Sequence, residues 1–253
     1  MRRLVTSAAL LLSALAPATT SAATATTSAT GSARLTTCAS ALDPADRVAT
    51  FEGRMRTVRR ATRMQMRFTL QSRGPGQLSW HGLRAPGFGR WLSSDLGVGR
   101  YVYTKRVVAL VAPASYRTQV RFRWLGRDGH RVASDRSTSP TCRQADLRPN
   151  LRPLGIDSRP GADADHVRYV VPVVNRGRTA AGPFDVVVAV DGTTLTPAQT
   201  PTLEPGERAL VEVEGPPCTA GSMLTADVDP TGAVDERAED DNRLTVTCPG
   251  APA

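Results

Sequence analysis

Long stretches with helical amphipathic spacing are missing from this sequence, and aromatic residues fill only 5% of its 253 positions. With 21 glycines and 19 prolines, that composition argues against a helical enzyme and suits small β-domains with many turns. Catalytic signatures are missing too. There is no GxSxG, HExxH, phosphate-binding loop or GxGxxG pattern, and His81, His130 and His166 each stand without a carboxylate or nucleophile at a useful spacing. No CxxC or Cys/His cluster exists, which speaks against zinc and redox roles. We therefore expect no catalytic residues, no metal and no cofactor. Lysine is nearly absent: Lys105 stands alone among 32 basic residues, and the rest are arginine. Arginine's planar fork binds carboxylate or phosphate in a bidentate manner, although GC-rich coding also produces such an excess.

What is present begins with Met1-Arg2-Arg3 and an apolar run from Leu4 to Leu15, too short to span a bilayer, followed by Ala, Ser and Thr. This reads as a secretory signal peptide over residues 1–25, cut after Ala22 or Ala25, with residues 26–35 a flexible Ser/Thr/Ala-rich remnant. The chain is expected to be exported, with no transmembrane anchor and no sorting motif after Cys248. Its four cysteines then invite pairing, for which three connectivities exist. The domain-wise choice, Cys38 with Cys142 and Cys218 with Cys248, leaves no thiol free. The second bridge would close a loop of roughly 30 residues, worth about 3 kcal/mol on a chain-entropy estimate.

The length allows two domains of about 100 residues after the leader. They differ in charge: Arg34 to Arg143 carries a net +15, and Asp146 onward a net −8. In the first, residues 36–145, Val48 to Met55 starts a strand, and Met64, Met66, Phe68 and Leu70 alternate with Arg63, Gln65, Arg67 and Thr69. Tyr101 to Val111 reads as another strand. Tyr116 to Trp124 alternates again, with Tyr116, Thr118, Val120, Phe122 and Trp124 on one face and Arg117, Gln119, Arg121 and Arg123 on the other. Asp128-Gly129 turns the chain into a return strand from Arg131. This tyrosine-led strand, its Gly-containing turn and the last strand resemble the late hairpin of fibronectin type III and other immunoglobulin-like sandwiches, a resemblance that implies fold only.

In the second, residues 146–250, Asp146 to Leu151 carries two prolines and reads as a short, stiff hinge. Strands are expected over His166 to Val174, Phe184 to Val190, Ala209 to Val213, Met223 to Val228 and Leu244 to Thr247, the last two forming a hairpin whose open end brings Cys218 to Cys248. Asp191-Gly192 and Leu203-Glu204-Pro205-Gly206-Glu207 are turns. Val173-Val174-Asn175-Arg176-Gly177, Ala181-Gly182, Phe184, Val190-Asp191-Gly192, Pro205-Gly206-Glu207, Val228-Asp229-Pro230, Val234, Glu236, Glu239 and Asn242 resemble the CARDB module, the cell-adhesion-related domain of bacterial surface and secreted proteins. That resemblance implies an immunoglobulin-like sandwich with an accessory, non-catalytic role. The chain departs from it in having Asp241-Asn242 where paired asparagines are usual.

The expected architecture is therefore all-β, two tandem immunoglobulin-like sandwiches after a signal peptide. Arg63, Arg67, Arg117, Arg121 and Arg123 are the candidate anion-binding residues, a cationic sheet face that Arg54, Arg56, Arg59 and Arg60 could extend. The competing reading is a solvated outer face. Trp80, Trp91, Tyr101 and Tyr103 read as core before they read as a sugar platform. Asp229, Asp235, Glu236, Glu239, Asp240 and Asp241 crowd around Asn242 and have the chemistry to hold calcium, but their spacing is not that of an EF-hand, and Asp in turns commonly bonds its own backbone. The leading function is a secreted, non-catalytic accessory protein with an unidentified envelope or extracellular partner, such as an anionic polymer. An envelope-associated hydrolase with its site in the Trp80 to Asp95 loops is the alternative, weakened because those loops offer only His81 and Asp95. Head-to-tail association of the two oppositely charged halves is a third.

Overall fold

The computed structural model describes residues 31–163 and 165–250. The signal peptide expected over residues 1–25 lies outside them. Within them, buried apolar residues gather into two separate clusters, one running from Ala33 to Cys142 and the other from Leu151 to Cys248.

The first half contains β1 (Gly31–Ala39), β2 (Val48–Arg56), β3 (Arg63–Arg73), β4 (His81–Gly82), β5 (Leu92–Ser93), β6 (Arg100–Val107), β7 (Ala114–Leu125), β8 (Arg131–Thr138) and β9 (Cys142–Gln144). One sheet has the order β1-β2-β6, and the other β4-β3-β7-β8, with β5 also on β3 and β9 also on β7. Every pairing is antiparallel. Period-two alternation places Phe51 and Met55 of β2 against Met64, Met66, Phe68 and Leu70 of β3 and Val120, Phe122 and Trp124 of β7, all buried. The Trp124 indole N–H donates to the Arg56 carbonyl at 2.7 Å, so this buried donor is satisfied. Close sheet approach needs Gly53, where an added Cβ would lie 2.8 Å from Met66 Sδ.

Two expectations change here. The tract expected to be a flexible remnant is strand from Gly31 onward, because Gly31 and Ala33 are small enough to lie against Phe122; a Cβ on Gly31 would sit 2.4 Å from that ring. Gly31 N–H donates to the Asp135 carboxylate and Ala33 N–H to the Ser137 hydroxyl, both at 3.1 Å. The strand expected over Tyr101 to Val111 stops at Val107. Ala109 turns the chain with a φ of 53°, and the Tyr116 hydroxyl then donates to the Val111 carbonyl at 2.9 Å, the corner typical of immunoglobulin-like sandwiches. A disulfide joins Cys38 to Cys142, tying β1 to β9 with the Cα atoms 5.4 Å apart.

The second half contains β10 (Leu151–Pro153), β11 (Asp157–Pro160), β12 (Val167–Asn175), β13 (Phe184–Val190), β14 (Thr193–Thr194), β15 (Ala198–Thr200), β16 (Arg208–Gly215), β17 (Met223–Val228) and β18 (Arg243–Thr247). β10 and β11 share one side of β12 and β16 takes the other, while the facing sheet runs β14-β13-β17-β18 with β15 beside β14 on β13. Tyr169, Val171 and Val173 meet Val186, Val188, Leu224 and Ala226 between the sheets. Asp191 and Gly192 both have positive φ, 49° and 82°, as a two-residue hairpin turn requires. The β17–β18 hairpin forms as expected, and the second disulfide, Cys218 to Cys248, closes its open end.

The short β10, β11 and β15 escaped sequence reading, and so did the fate of the join. Pro149 and Asn150 are buried rather than hinge-like. The Asn150 carbonyl accepts from Arg176 N–H at 2.7 Å and the Pro149 carbonyl from Arg237 N–H at 3.1 Å. Gly177 permits this contact: a Cβ there would lie 2.3 Å from Pro149 Cα. The stretch expected to be a short, stiff hinge thus lies against the second sandwich as its first segment.

Candidate functional site

The outer face of β3 and β7 takes the other half of the alternation that fills the core. Pairing sets Arg67 opposite Arg121, Gln65 opposite Arg123 and Gln71 opposite Arg117. Two short strands, β5 against Gln65-Met66 and β4 against Gln71-Ser72, anchor the loops that carry Trp91 and Trp80 over this face. Each indole is stacked by guanidinium groups. Arg117 and Arg73 lie 4.1 and 4.8 Å from the Trp80 ring centre, and Arg123 and Arg67 lie 3.9 and 5.3 Å from that of Trp91. Such contacts contribute about 0.5–1 kcal/mol each at exposed sites.

Stacking uses the flat face of a guanidinium and leaves its N–H edge available. Part of that edge is held in place: Arg117 Nε donates to Gln71 Oε1 at 2.9 Å, and Arg123 Nε donates to Gln65 Oε1, whose own amide donates to Ser93 at 2.7 Å. Arg67 Nε is buried with no hydrogen-bond partner among the described residues. Among the described residues, no carboxylate forms an ion pair with Arg63, Arg67, Arg73, Arg117, Arg121, Arg123 or Arg136; in this half the pairing is Arg54 with Glu52. Burial first, and the neighbouring Arg73 charge second, hold Arg117 below its ordinary proton affinity. Among the described residues, the face is a set of preoriented cations without paired counter-charges.

Sequence reasoning located its centre but not its extent. Arg67, Arg117, Arg121 and Arg123 come together, while Arg63 lies at the end of β3 opposite Leu125. Arg54 and Arg56 belong to β2, in the other sheet, and so do not extend this face. Arg73, in phase with Arg63 and Arg67, was legible from the alternation; Arg136 needed the β7–β8 register. Trp80 and Trp91 are partly exposed rather than core residues, and arginines stack on their rings. Tyr101 and Tyr103 stand on β6 in the opposite sheet, Tyr103 tilted against Phe68 at 6.5 Å. His81 and Asp95 are both exposed, with no hydrogen bond between them among the described residues.

A different chemistry occupies one end of the second sandwich. Asn175 is fully buried and fully bonded: its amide donates to the Thr179 and Leu203 carbonyls at 2.8 and 2.9 Å, and its oxygen accepts from Asn150 and Gly177 N–H at 3.1 and 2.9 Å. Asp229, at a φ of 49°, accepts from Ala233 and Val234 N–H at 3.0 and 2.8 Å. Glu236 is buried; it accepts from Leu151 N–H and from the Asn242 amide at 2.9 Å. Glu239 accepts from Glu236 N–H, Asp235 pairs with Arg148 at 2.8 Å, and Asp241 accepts from the Asn150 amide. The acidic cluster is therefore dispersed among loop and linker bonds. Among the described residues, no group of three or more His, Cys, Asp or Glu is arranged to hold a metal ion.

Residues 146–246 match the CARDB family. The CARDB match begins at Asp146 and takes in Asn150, Asn175, Asp229, Glu236 and Asn242, the buried polar set just described. Among solved structures, a domain from Methanosarcina acetivorans described as part of a cell surface protein is 24% identical, with 42% of this chain and 94% of that one covered, at a TM-score of 0.38. The CARDB domain of the PF1109 protein of Pyrococcus furiosus, in complex with di-metal ions, is 24% identical, with 40% and 88% covered, at 0.34. The class 5 fimbriae chaperone CfaA is 9% identical, with 87% and 100% covered, at 0.27. No curated protein matches the chain. Among the described residues, no helix is long and apolar enough to cross a membrane.

Proposed function

We propose that this chain is an exported, non-catalytic accessory protein of two domains, residues 31–145 and 146–250. The first grips an anionic polymer of the cell envelope or its surroundings, and the CARDB sandwich acts as an adhesion-type module. One observation carries the reading: arginines stacked on Trp80 and Trp91 lie on one sheet face with no carboxylate paired to them among the described residues. A merely solvated face has no need to preorient its cations, and like charges directly opposite one another, as Arg67 and Arg121 are, destabilise a strand pair. A bound polyanion removes that repulsion and supplies the missing acceptors.

The test is binding of the full chain to a heparin-like polymer across a salt series. With about three ionic contacts, raising salt from about 50 to about 200 mM should weaken binding roughly 20-fold, and Arg67→Ala with Arg121→Ala should flatten that slope. Absence of low-salt binding would return the face to the solvated reading. Release of soluble products from wall fragments incubated with the chain would instead favour a hydrolase.

A further inference from the structure

One part of the cationic face is concave. The strand registers place Arg67, Arg121 and Arg136 in line across β3, β7 and β8, with Ser134 opposite Arg123 in the neighbouring row. Strands in a sheet are about 4.8 Å apart, so three side chains of the same charge project from adjacent positions. A cleft of about 390 Å³ opens beside them, lined by Trp91, Arg121, Arg123, Arg131, Ser134 and Arg136. Asp135 also borders the cleft, but its carboxylate is engaged by Gly31 N–H at 3.1 Å and Arg136 N–H at 2.7 Å. The Asp135 carboxylate is thus bonded to backbone, and among the described residues no carboxylate pairs with Arg121, Arg123, Arg131 or Arg136.

The shape of this donor set narrows the ligand. Arg67 and Arg123 stack on Trp91, which fixes their planes and leaves N–H edges, with the Ser134 hydroxyl, to make the polar contacts of the cleft. A carboxylate presents two oxygens in one plane. Donors that arrive from two strands, β7 and β8, suit a tetrahedral group whose oxygens point in several directions. We propose that this cleft is a phosphate subsite, seating one phosphate group of a phosphate-containing polymer. It rests on the anion-binding reading above and names the ligand class of that face.

The experiment compares the full chain with its Arg136→Gln and Arg117→Gln variants, titrating labelled polyphosphate and labelled polyglucuronate at the same low salt. Arg136 is exposed and makes no ion pair among the described residues, so its variant should keep the wild-type melting temperature. Polyphosphate should bind about 10-fold more tightly than polyglucuronate, and Arg136→Gln should cost about 10-fold for polyphosphate but under about 2-fold for polyglucuronate. Arg117→Gln, at the other end of the face, should weaken both polymers alike. Equal affinities with equal losses in Arg136→Gln would overturn the subsite while leaving the anion-binding face intact. Failure to bind either polymer or phosphatidylglycerol vesicles would overturn both. Capture of phosphatidylglycerol vesicles without polyphosphate binding would assign the phosphate to a lipid headgroup and overturn the polymer as its source.

Discussion

Glu236 makes the stability of the CARDB sandwich depend on pH in the direction opposite to most carboxylates. The side chain is 1% exposed, and burial pushes its pKa up from 4.5 to about 7, reinforced by the nearby Glu239 and Asp229 charges, against the lowering effect of bonds from Leu151 N–H and Asn242. A folded-state pKa above the unfolded one means that the folded protein holds the proton more tightly. Its contribution is fully present below about pH 4.5 and is lost as pH rises through about 7. At about 1.4 kcal/mol per pH unit, the whole window is worth about 3 kcal/mol. Glu236→Gln removes the titration and keeps an acceptor for Leu151 N–H. Its new amide can also meet Asn242 Oδ1, which is buried without a partner among the described residues, if the Asn242 amide turns over. Urea unfolding of both proteins at pH 5 and pH 7.5 measures the difference. The variant should gain about 2 kcal/mol or more on the wild type between these two pH values. An unchanged difference, or a wild type that gains on the variant as pH rises, would refute a buried Glu236 whose neutral form is favoured.

Three other outcomes follow from particular contacts. Tyr116→Phe should cost about 1–2 kcal/mol in denaturant unfolding, because the hydroxyl bond to the Val111 carbonyl is lost beside a buried ring. Gly177→Ala should destabilise the second sandwich by more than about 2 kcal/mol and raise protease cutting near Arg148, since its Cβ meets the Pro149 backbone rather than a movable side chain. Replacing Cys38 and Cys142 with serine opens a loop of 104 residues and should lower stability by roughly 4–5 kcal/mol, seen as a midpoint shift that the Cys218–Cys248 bridge does not prevent.

Local pattern was enough for much of this protein. Period-two alternation is a property of neighbouring residues, so the faces of β3 and β7, the Asp191-Gly192 turn and the β17–β18 hairpin could be read before any contact was known. The same alternation marked Arg67, Arg117, Arg121 and Arg123 as outward. Composition misled at Gly31 to Leu35, where small residues that look like a flexible tract are what a strand lying against Phe122 needs. It misled also at Pro149 and Asn150, whose hydrogen-bond partners, Arg176 and Arg237, are distant in sequence.

Order along the chain therefore determined the strands, their faces, the opposite charges of the two halves and the side of the first sandwich that is cationic. Strand register and the path of the β4 and β5 loops decided the rest. They brought Trp80 and Trp91 onto the arginines, placed Arg136 in line with Arg121 and Arg67, and enclosed Glu236 beside Leu151. The physical reason is the range of the forces involved: alternation and turn chemistry act over a few residues, whereas stacking, charge compensation and desolvation depend on which distant side chains folding makes neighbours.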